Sequence, residues 1–222
     1  MGETHTILMF LRFGAREHIE DLYENGTVYM NSIQYFRDCK DDPLRGDKYE
    51  GISRITNYLP GEFTIPEINH TVKYQALQTY EYDANPIGNI YSLYCVSSHG
   101  FPNPEDFAAH ISNHGFGDHC LMVKNNPEFL NRIKQAVKEL GYPYDDGFID
   151  YYDKETYNGE VGVFRKPLEY AHQKEFRIYV RREEISPLIL KIGSLKGIAK
   201  IYTSMEIIEG LRLQSKPKPQ GL

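Results

Sequence analysis

Residues 173–181, QKEFRIYVR, alternate between polar and apolar side chains from Glu175 onward. Side chains two apart on a strand point to the same face, so this pattern predicts a β-strand that buries Phe176, Ile178 and Val180. We expect the opposite face to border solvent or a cleft. It carries Glu175, Arg177, Tyr179 and Arg181. Guanidiniums bind phosphate and a carboxylate can stabilise a developing positive charge, although a solvated face with local ion pairs is the alternative.

The segments around this strand predict an α+β domain. Strand-like runs occur at 7–13, 27–31, 52–58, 71–79, 90–97, 119–123, 148–152, 188–192 and 198–202. Helical patterns occur at 16–25, after Ser32, at 104–113 and at 127–140. Because helices and strands do not alternate regularly, we expect two mostly antiparallel sheets with flanking helices. We predict one domain over 1–214 and a flexible tail over 215–222.

Composition excludes several functional classes. The three cysteines lack metal-ligand spacing, and no apolar run reaches membrane-spanning length, which predicts a cytoplasmic protein without membrane contact. A net charge of −6 argues against strong non-specific nucleic-acid binding. Residues 165–222 nevertheless hold 12 Lys and Arg against 6 Asp and Glu. That excess could face nucleotide phosphates or pair with acidic neighbours within the fold.

Other candidate site residues lie on two further strands. Arg12 interrupts an apolar strand, and burying a guanidinium requires a partner, either an internal carboxylate or a ligand. Ser97 and Ser98 end a strand rich in apolar and aromatic residues, where small hydroxyls can hold a ribose or simply form a turn. The histidines between 99 and 119 lack zinc-site spacing, so we predict no metal. Phosphate-loop, dinucleotide-binding and α/β-hydrolase motifs do not occur.

Three stretches resemble a large bacterial family of domains of unknown function. They are GTVYMNS at 26–32 leading to YFR at 35–37, GDHC at 117–120 through the helix at 129–140, and YAHQKEFRI at 170–178. Together they follow the family's order along most of the chain. This resemblance implies a shared fold and carries no function with it.

A more distant resemblance does imply a function. Arg12, Ser97-Ser98 and Gln173-Lys174-Glu175 follow the order of the motifs in ADP-ribosyltransferases of the arginine-serine-glutamate class. In that family the arginine and the serine strand hold NAD, and the last glutamate stabilises the oxocarbenium-like transition state. The residue at the position of Gln173 helps to select the acceptor. The chain departs from the family by lacking a Ser-Thr-Ser pattern and the aromatic-Arg-Gly context around Arg12.

The resemblance therefore implies NAD-dependent ADP-ribosyl transfer to a protein or nucleic-acid acceptor. A toxin-like or phage-conflict role would fit the bacterial family of unknown function. Glu175 and Gln173 would act in catalysis. The predicted contacts to NAD are Arg12, Ser97, Ser98, Arg177 and Tyr179. Two alternatives remain open from the residues themselves: a non-enzymatic module that binds a nucleotide or a protein, and a metal-independent nuclease that uses the histidines with Arg177 and Arg181.

Overall fold

The computed structural model describes residues 4–39, 46–47, 49–82, 87–103 and 106–213. Its strands are β1 (Ile7–Gly14), β2 (Thr27–Ser32), β3 (Ile52–Tyr58), β4 (Gly61–Ile65), β5 (His70–Tyr74), β6 (Leu77–Tyr82), β7 (Asn89–Ser97), β8 (His119–Val123), β9 (Tyr144–Phe148), β10 (Asp150–Tyr152), β11 (Gly159–Glu160), β12 (Arg165–Pro167), β13 (Glu175–Val180), β14 (Leu188–Lys191) and β15 (Ala199–Thr203). Its α-helices are α1 (Arg16–Asn25), α2 (Ile33–Asp38), α3 (Asn126–Glu139) and α4 (Ser204–Gly210). The predicted α+β class with mostly antiparallel pairing is confirmed.

The prediction of two sheets is wrong, because most strands join one large sheet. Its main path is β14-β2-β7-β1-β8-β15, and β13 pairs with both β7 and β9. Three small sheets flank it: β11-β3-β6, β4-β5 and the parallel pair β10-β12. The β4-β5 and β10-β12 pairs form between strands close in sequence, whereas β11 pairs with the distant strand β3, and strand patterns alone do not assign such partners.

Strand β7 has three partners, and their registers leave a gap along one of its edges. β13 pairs with β7 over residues 89–94. On the other edge, β2 pairs only with Asn89 and Ile90, whereas β1 pairs from Tyr94 onward. β1 and β2 therefore diverge from β7, and the edge at residues 91–93 faces neither strand. This gap positions the candidate site.

Apolar clusters cover both faces of the sheet. On one face, α1 and α3 contribute Ile19, Leu22, Phe129, Ile133 and Val137, which are buried with Phe176 and Ile178 of β13. The opposite cluster includes Phe13, Tyr94 and Ile207 of α4. Helix α1 ends at Gly26, whose φ of 64° is left-handed. A Cβ at Gly26 would lie 2.1 Å from the Gly193 carbonyl oxygen, so this turn requires glycine.

Most predicted elements are confirmed with small shifts in their ends. Ser32 begins α2, and its side chain accepts a hydrogen bond from the Tyr35 amide at 3.2 Å. The predicted strand at 71–79 is divided between β5 and β6. The predicted helix at 104–113 is wrong over described residues 107–110, which form no helix and in which Phe107 and Ala109 are buried alternately. Only a 3₁₀ turn, Ile111–Phe116, follows.

The predictions about the membrane and about the C-terminal tail can be compared with the structure only in part. Within the described part of the chain, no helix is both long enough and apolar enough to cross a membrane. The predicted flexible tail at 215–222 lies outside the described residues.

Candidate functional site in the gap beside strand β7

Two adjoining cavities open at the gap, and together we call them the cleft. The small cavity, about 60 Å³, is lined by Arg12, Ser92, Gln173 and Glu175 among others. The large cavity, about 630 Å³, lies between the β1-α1 region and the β2-α2 region. Arg12, Phe13 and Phe116 line both cavities. Three residues predicted from the sequence, namely Arg12, Gln173 and Glu175, therefore meet at the small cavity.

Arg12 stands between the two cavities. Its Nη1 donates a 2.8 Å hydrogen bond to the Ser92 carbonyl, which belongs to the unpaired part of the β7 edge. The guanidinium carbon lies 4.6 Å from the centre of the Tyr91 ring. Among the described residues, no carboxylate forms an ion pair with Arg12. A half-buried guanidinium with spare donors beside a cavity is suited to bind an anion.

Glu175 is buried, with 4% of its surface exposed, and it lines the small cavity. Oε1 accepts hydrogen bonds from Ser92 Oγ at 2.5 Å and Arg177 Nε at 2.8 Å, and Oε2 lies 2.8 Å from Lys166 Nζ. Burial opposes ionisation of this carboxyl. The charges of Arg177 and Lys166 outweigh that effect and hold the pKa of Glu175 well below its usual range. A carboxylate accepts about four hydrogen bonds, so three donors leave some acceptor capacity.

Arg177 corrects the prediction that the polar face of β13 is open. Its side chain is fully buried, and Nη1 and Nη2 bind the Glu50 carboxylate at 2.6 and 3.0 Å. Nη1 also donates to the Val163 carbonyl at 2.5 Å. Glu50 and the segment containing Val163 therefore cover this face. Because Arg177 is enclosed, its side chain does not line either cavity of the cleft, which gives no support to the cofactor contact predicted for it.

The covered face forms a buried charge cluster, defined as Asp47, Glu50, Lys166, Glu175 and Arg177. All five residues are less than 9% exposed. Burial, followed by the nearby charge of Glu50, raises the pKa of Asp47 to about 6. Burial lowers the pKa of Arg177, but the charges of Glu175 and Glu50 more than reverse this and raise it. Through Arg177, the cluster attaches Glu50 to the large sheet.

Tyr179 and the two predicted serines lie elsewhere. Tyr179 is half-buried, and its hydroxyl donates to the Ile87 carbonyl at 3.1 Å, away from the described lining of the cleft. Ser97 and Ser98 line a separate cavity of about 130 Å³. Ser98 Oγ accepts from the Thr6 amide at 2.9 Å, which ties down the chain before β1. The predicted convergence of Ser97 with Arg12 and Glu175 is therefore wrong.

Ser92 is the serine that reaches the cleft, and it is not among the residues predicted from the sequence. It lies in the middle of β7, directly opposite Arg177 of the neighbouring strand β13. Its place as a polar residue within the run Ile90-Tyr91-Ser92-Leu93-Tyr94 is a signal that could have identified it. Glu50 was missed because it lies in a turn, and only the three-dimensional fold brings it to Arg177.

The backbone turns sharply between the two predicted catalytic residues. Lys174 has a φ of 44°, a left-handed conformation that non-glycine residues seldom adopt. Its carbonyl accepts from the Cys95 amide at 2.8 Å, which anchors the turn to β7. Gln173 and Glu175 therefore both reach the small cavity, and Gln173 Oε1 also accepts from Lys166 Nζ at 3.0 Å. Strain at such a position is typical of functional sites.

The described residues contain no group of three His, Cys, Asp or Glu side chains placed to hold a metal ion. The sequence and fold were also compared with known proteins. No family model, no curated protein and no solved structure matches the chain. The two resemblances stated above therefore rest on their motifs alone.

Proposed function

We propose that the cleft binds NAD and that the protein transfers ADP-ribose from it to an acceptor. The observation that carries this proposal is the convergence of Arg12, Ser92, Gln173 and Glu175 on one gap in the sheet, although they come from distant parts of the chain. The larger cavity has the volume of a typical small-molecule site. The site's chemistry suits a ligand with phosphates and a reacting ribose, because the Arg12 guanidinium, which forms no ion pair with a described carboxylate, lies near the ionised Glu175.

In the proposed reaction, the bond between nicotinamide and the ribose C1′ breaks, and nicotinamide leaves with the bonding electron pair. Positive charge then develops on the ribose, and the Glu175 carboxylate stabilises it. Ser92 orients that carboxylate through its 2.5 Å hydrogen bond. The acceptor's nucleophilic atom forms the new bond to C1′ and releases its proton. Arg12 binds the phosphates, and Gln173 lies beside Glu175 where an acceptor would approach.

A second candidate is nucleotide binding without turnover, and a specific observation favours it. Lys166 and Arg177 both bind the Glu175 carboxylate, so its charge is largely balanced within the protein. A balanced carboxylate stabilises a developing cation less than an unpaired one does. The nuclease alternative is less favoured, because Arg177, one of its two arginines, is enclosed.

Nicotinamide release from NAD by the purified protein tests the proposal. We expect release by the wild type and its loss in Glu175→Gln, which keeps the side-chain shape but removes the charge. Each 1.4 kcal/mol of lost transition-state stabilisation slows the reaction about tenfold. Because Glu175 also belongs to the charge cluster, its loss alone would not separate chemistry from structure.

Glu50→Gln is the matched control. It weakens the same cluster through Arg177 but lies outside the described lining of both cavities. Loss of turnover in Glu175→Gln, with turnover retained in Glu50→Gln and both proteins folded by circular dichroism, supports the assigned role. Undiminished turnover in Glu175→Gln contradicts it. Calorimetric NAD binding by the wild type without any nicotinamide release identifies the protein as a binder.

A further inference from the structure

The outward face of β2 forms one wall of the large cavity. Thr27, Tyr29 and Asn31 alternate with Val28, Met30 and Ser32, and only the second set is buried. All three residues of the first set line the large cavity. This strand is the centre of the GTVYMNS stretch, for which the proposed reaction provides no role. The polar half of the alternation therefore faces the cleft and not bulk solvent alone.

Several aromatic side chains line the same cavity. Tyr29 and Tyr35 are 48% and 42% exposed and line it from β2 and α2, and Tyr91 lies buried at its inner side near Arg12. Tyr29 and Asn31 are not held by neighbours: within the described ranges, neither side chain hydrogen-bonds to a protein group. Exposed tyrosines on a cavity wall supply flat apolar area at a low entropic cost, which suits a planar ligand.

We propose that this wall is an adenine subsite, in which Tyr29 and Tyr35 stack the base and Asn31 recognises its edge. The inference rests on the proposed function to the extent that Arg12 holds the phosphates of the same ligand. The asparagine amide offers one donor and one acceptor side by side. That pair matches the amino group and ring nitrogen N7 of adenine, whereas guanine presents two acceptors at the corresponding edge. Adenine is therefore favoured over guanine.

The arrangement also fixes which end of the ligand lies in which cavity of the cleft. Arg12 lines both cavities, so phosphates bound there lie between the two ends of a dinucleotide. The adenine end then occupies the large cavity, and the ribose that reacts lies at Glu175 in the small one. Tyr29 and Asn31 act on adenine specificity and take no part in bond breaking.

Calorimetric titrations with ADP, GDP and nicotinamide mononucleotide test the inference. We expect the wild type to bind ADP about tenfold more tightly than GDP, the discrimination expected of one bidentate amide–adenine pair. Tyr29→Ala should weaken ADP binding about tenfold through lost stacking and leave nicotinamide mononucleotide binding unchanged. Asn31→Ala should reduce the preference for ADP over GDP to near unity.

Tyr58→Ala is the control, because Tyr58 is a tyrosine of similar exposure, 46%, on β3 outside the described lining of the cleft. It should bind ADP as the wild type does. Equal wild-type affinity for ADP and GDP, no ADP binding, or wild-type ADP affinity in Tyr29→Ala overturns the inference. Tyr29-dependent ADP binding without nicotinamide release from NAD instead refutes the transfer reaction and leaves the adenine subsite standing.

Discussion

The buried charge cluster and the cleft each contain an arginine from a strand of the large sheet, but only the arginine of the cluster is enclosed by counter-charges. Arg177 is 0% exposed and binds two carboxylates and a carbonyl. Arg12 is half-buried, binds one carbonyl, and lies beside a cavity without an ion pair to any described carboxylate. A charged residue in a strand is thus structural where counter-charges enclose it. Where it borders a cavity, its binding capacity remains available to a ligand.

Truncation of Arg177 should cause the largest loss of stability in either region. Arg177→Ala leaves the Glu50 and Glu175 carboxylates buried without their shared partner, and we expect a loss of about 3–5 kcal/mol in the free energy of unfolding. Urea denaturation measures it. Arg177→Met keeps most of the volume and separates lost packing from lost charge. A loss no larger than that of Arg12→Ala would show that the cluster does not stabilise the fold.

Asp47 should make the cluster depend on pH. Its folded pKa, raised to about 6, lies above the ordinary value near 4. The stability contributed by its protonated form is therefore complete below pH 4 and is lost as the pH rises through 6. Asp47→Asn stays neutral, so we expect it to exceed the wild type by about 1–3 kcal/mol at pH 8.

This advantage of Asp47→Asn should shrink as the pH falls from 6 towards 4. Thermal melts of both proteins across that range measure it. The pKa of His172, lowered by burial, affects both proteins equally and cancels from their difference. An advantage that does not change with pH would indicate that Asp47 titrates normally.

Ser92 joins the two regions, because its hydroxyl binds Glu175 and its carbonyl binds Arg12. Ser92→Ala removes only the hydrogen bond to the carboxylate, and we expect a cost of about 1–2 kcal/mol, typical of a bond to a charged group. Denaturation curves measure this cost. Ser97→Ala is the control for a buried serine outside the cleft. If Ser92→Ala leaves the rate of nicotinamide release unchanged, Ser92 does not position Glu175 for the reaction.

Arg12 should give the smallest effect on stability and a clear effect on binding. Arg12→Ala loses one hydrogen bond and one cation–π contact, so we expect a cost of about 1 kcal/mol in unfolding free energy. Its affinity for ADP should fall at least about tenfold if Arg12 holds the phosphates. Calorimetry at two salt concentrations checks this, because the wild-type affinity should fall more steeply with salt than that of the variant. Unchanged ADP affinity in Arg12→Ala would show that Arg12 does not bind the phosphates.

The sequence by itself determined the elements whose signals are local. The alternation at 175–180, the Ser32 cap and the apolar stripe of α3 each predict the observed element, because periodicity and capping depend on residues close together in the chain. The segment at 107–110, which forms no helix, shows the limit. There, burial alternates with period two, whereas its alanines favour a helix in isolation.

Tertiary structure alone decided which polar residues belong to the site. A strand pattern separates two faces but does not tell which face a distant segment covers, so the enclosure of Arg177 by Glu50 could not be predicted. The exchange of Ser97 for Ser92 has the same origin. It depends on the registers of β1 and β2 along β7, which leave the strand edge open at 91–93. Because β1 and β2 are distant from β7 in sequence, no hairpin turn fixes these registers, and tertiary packing decides them.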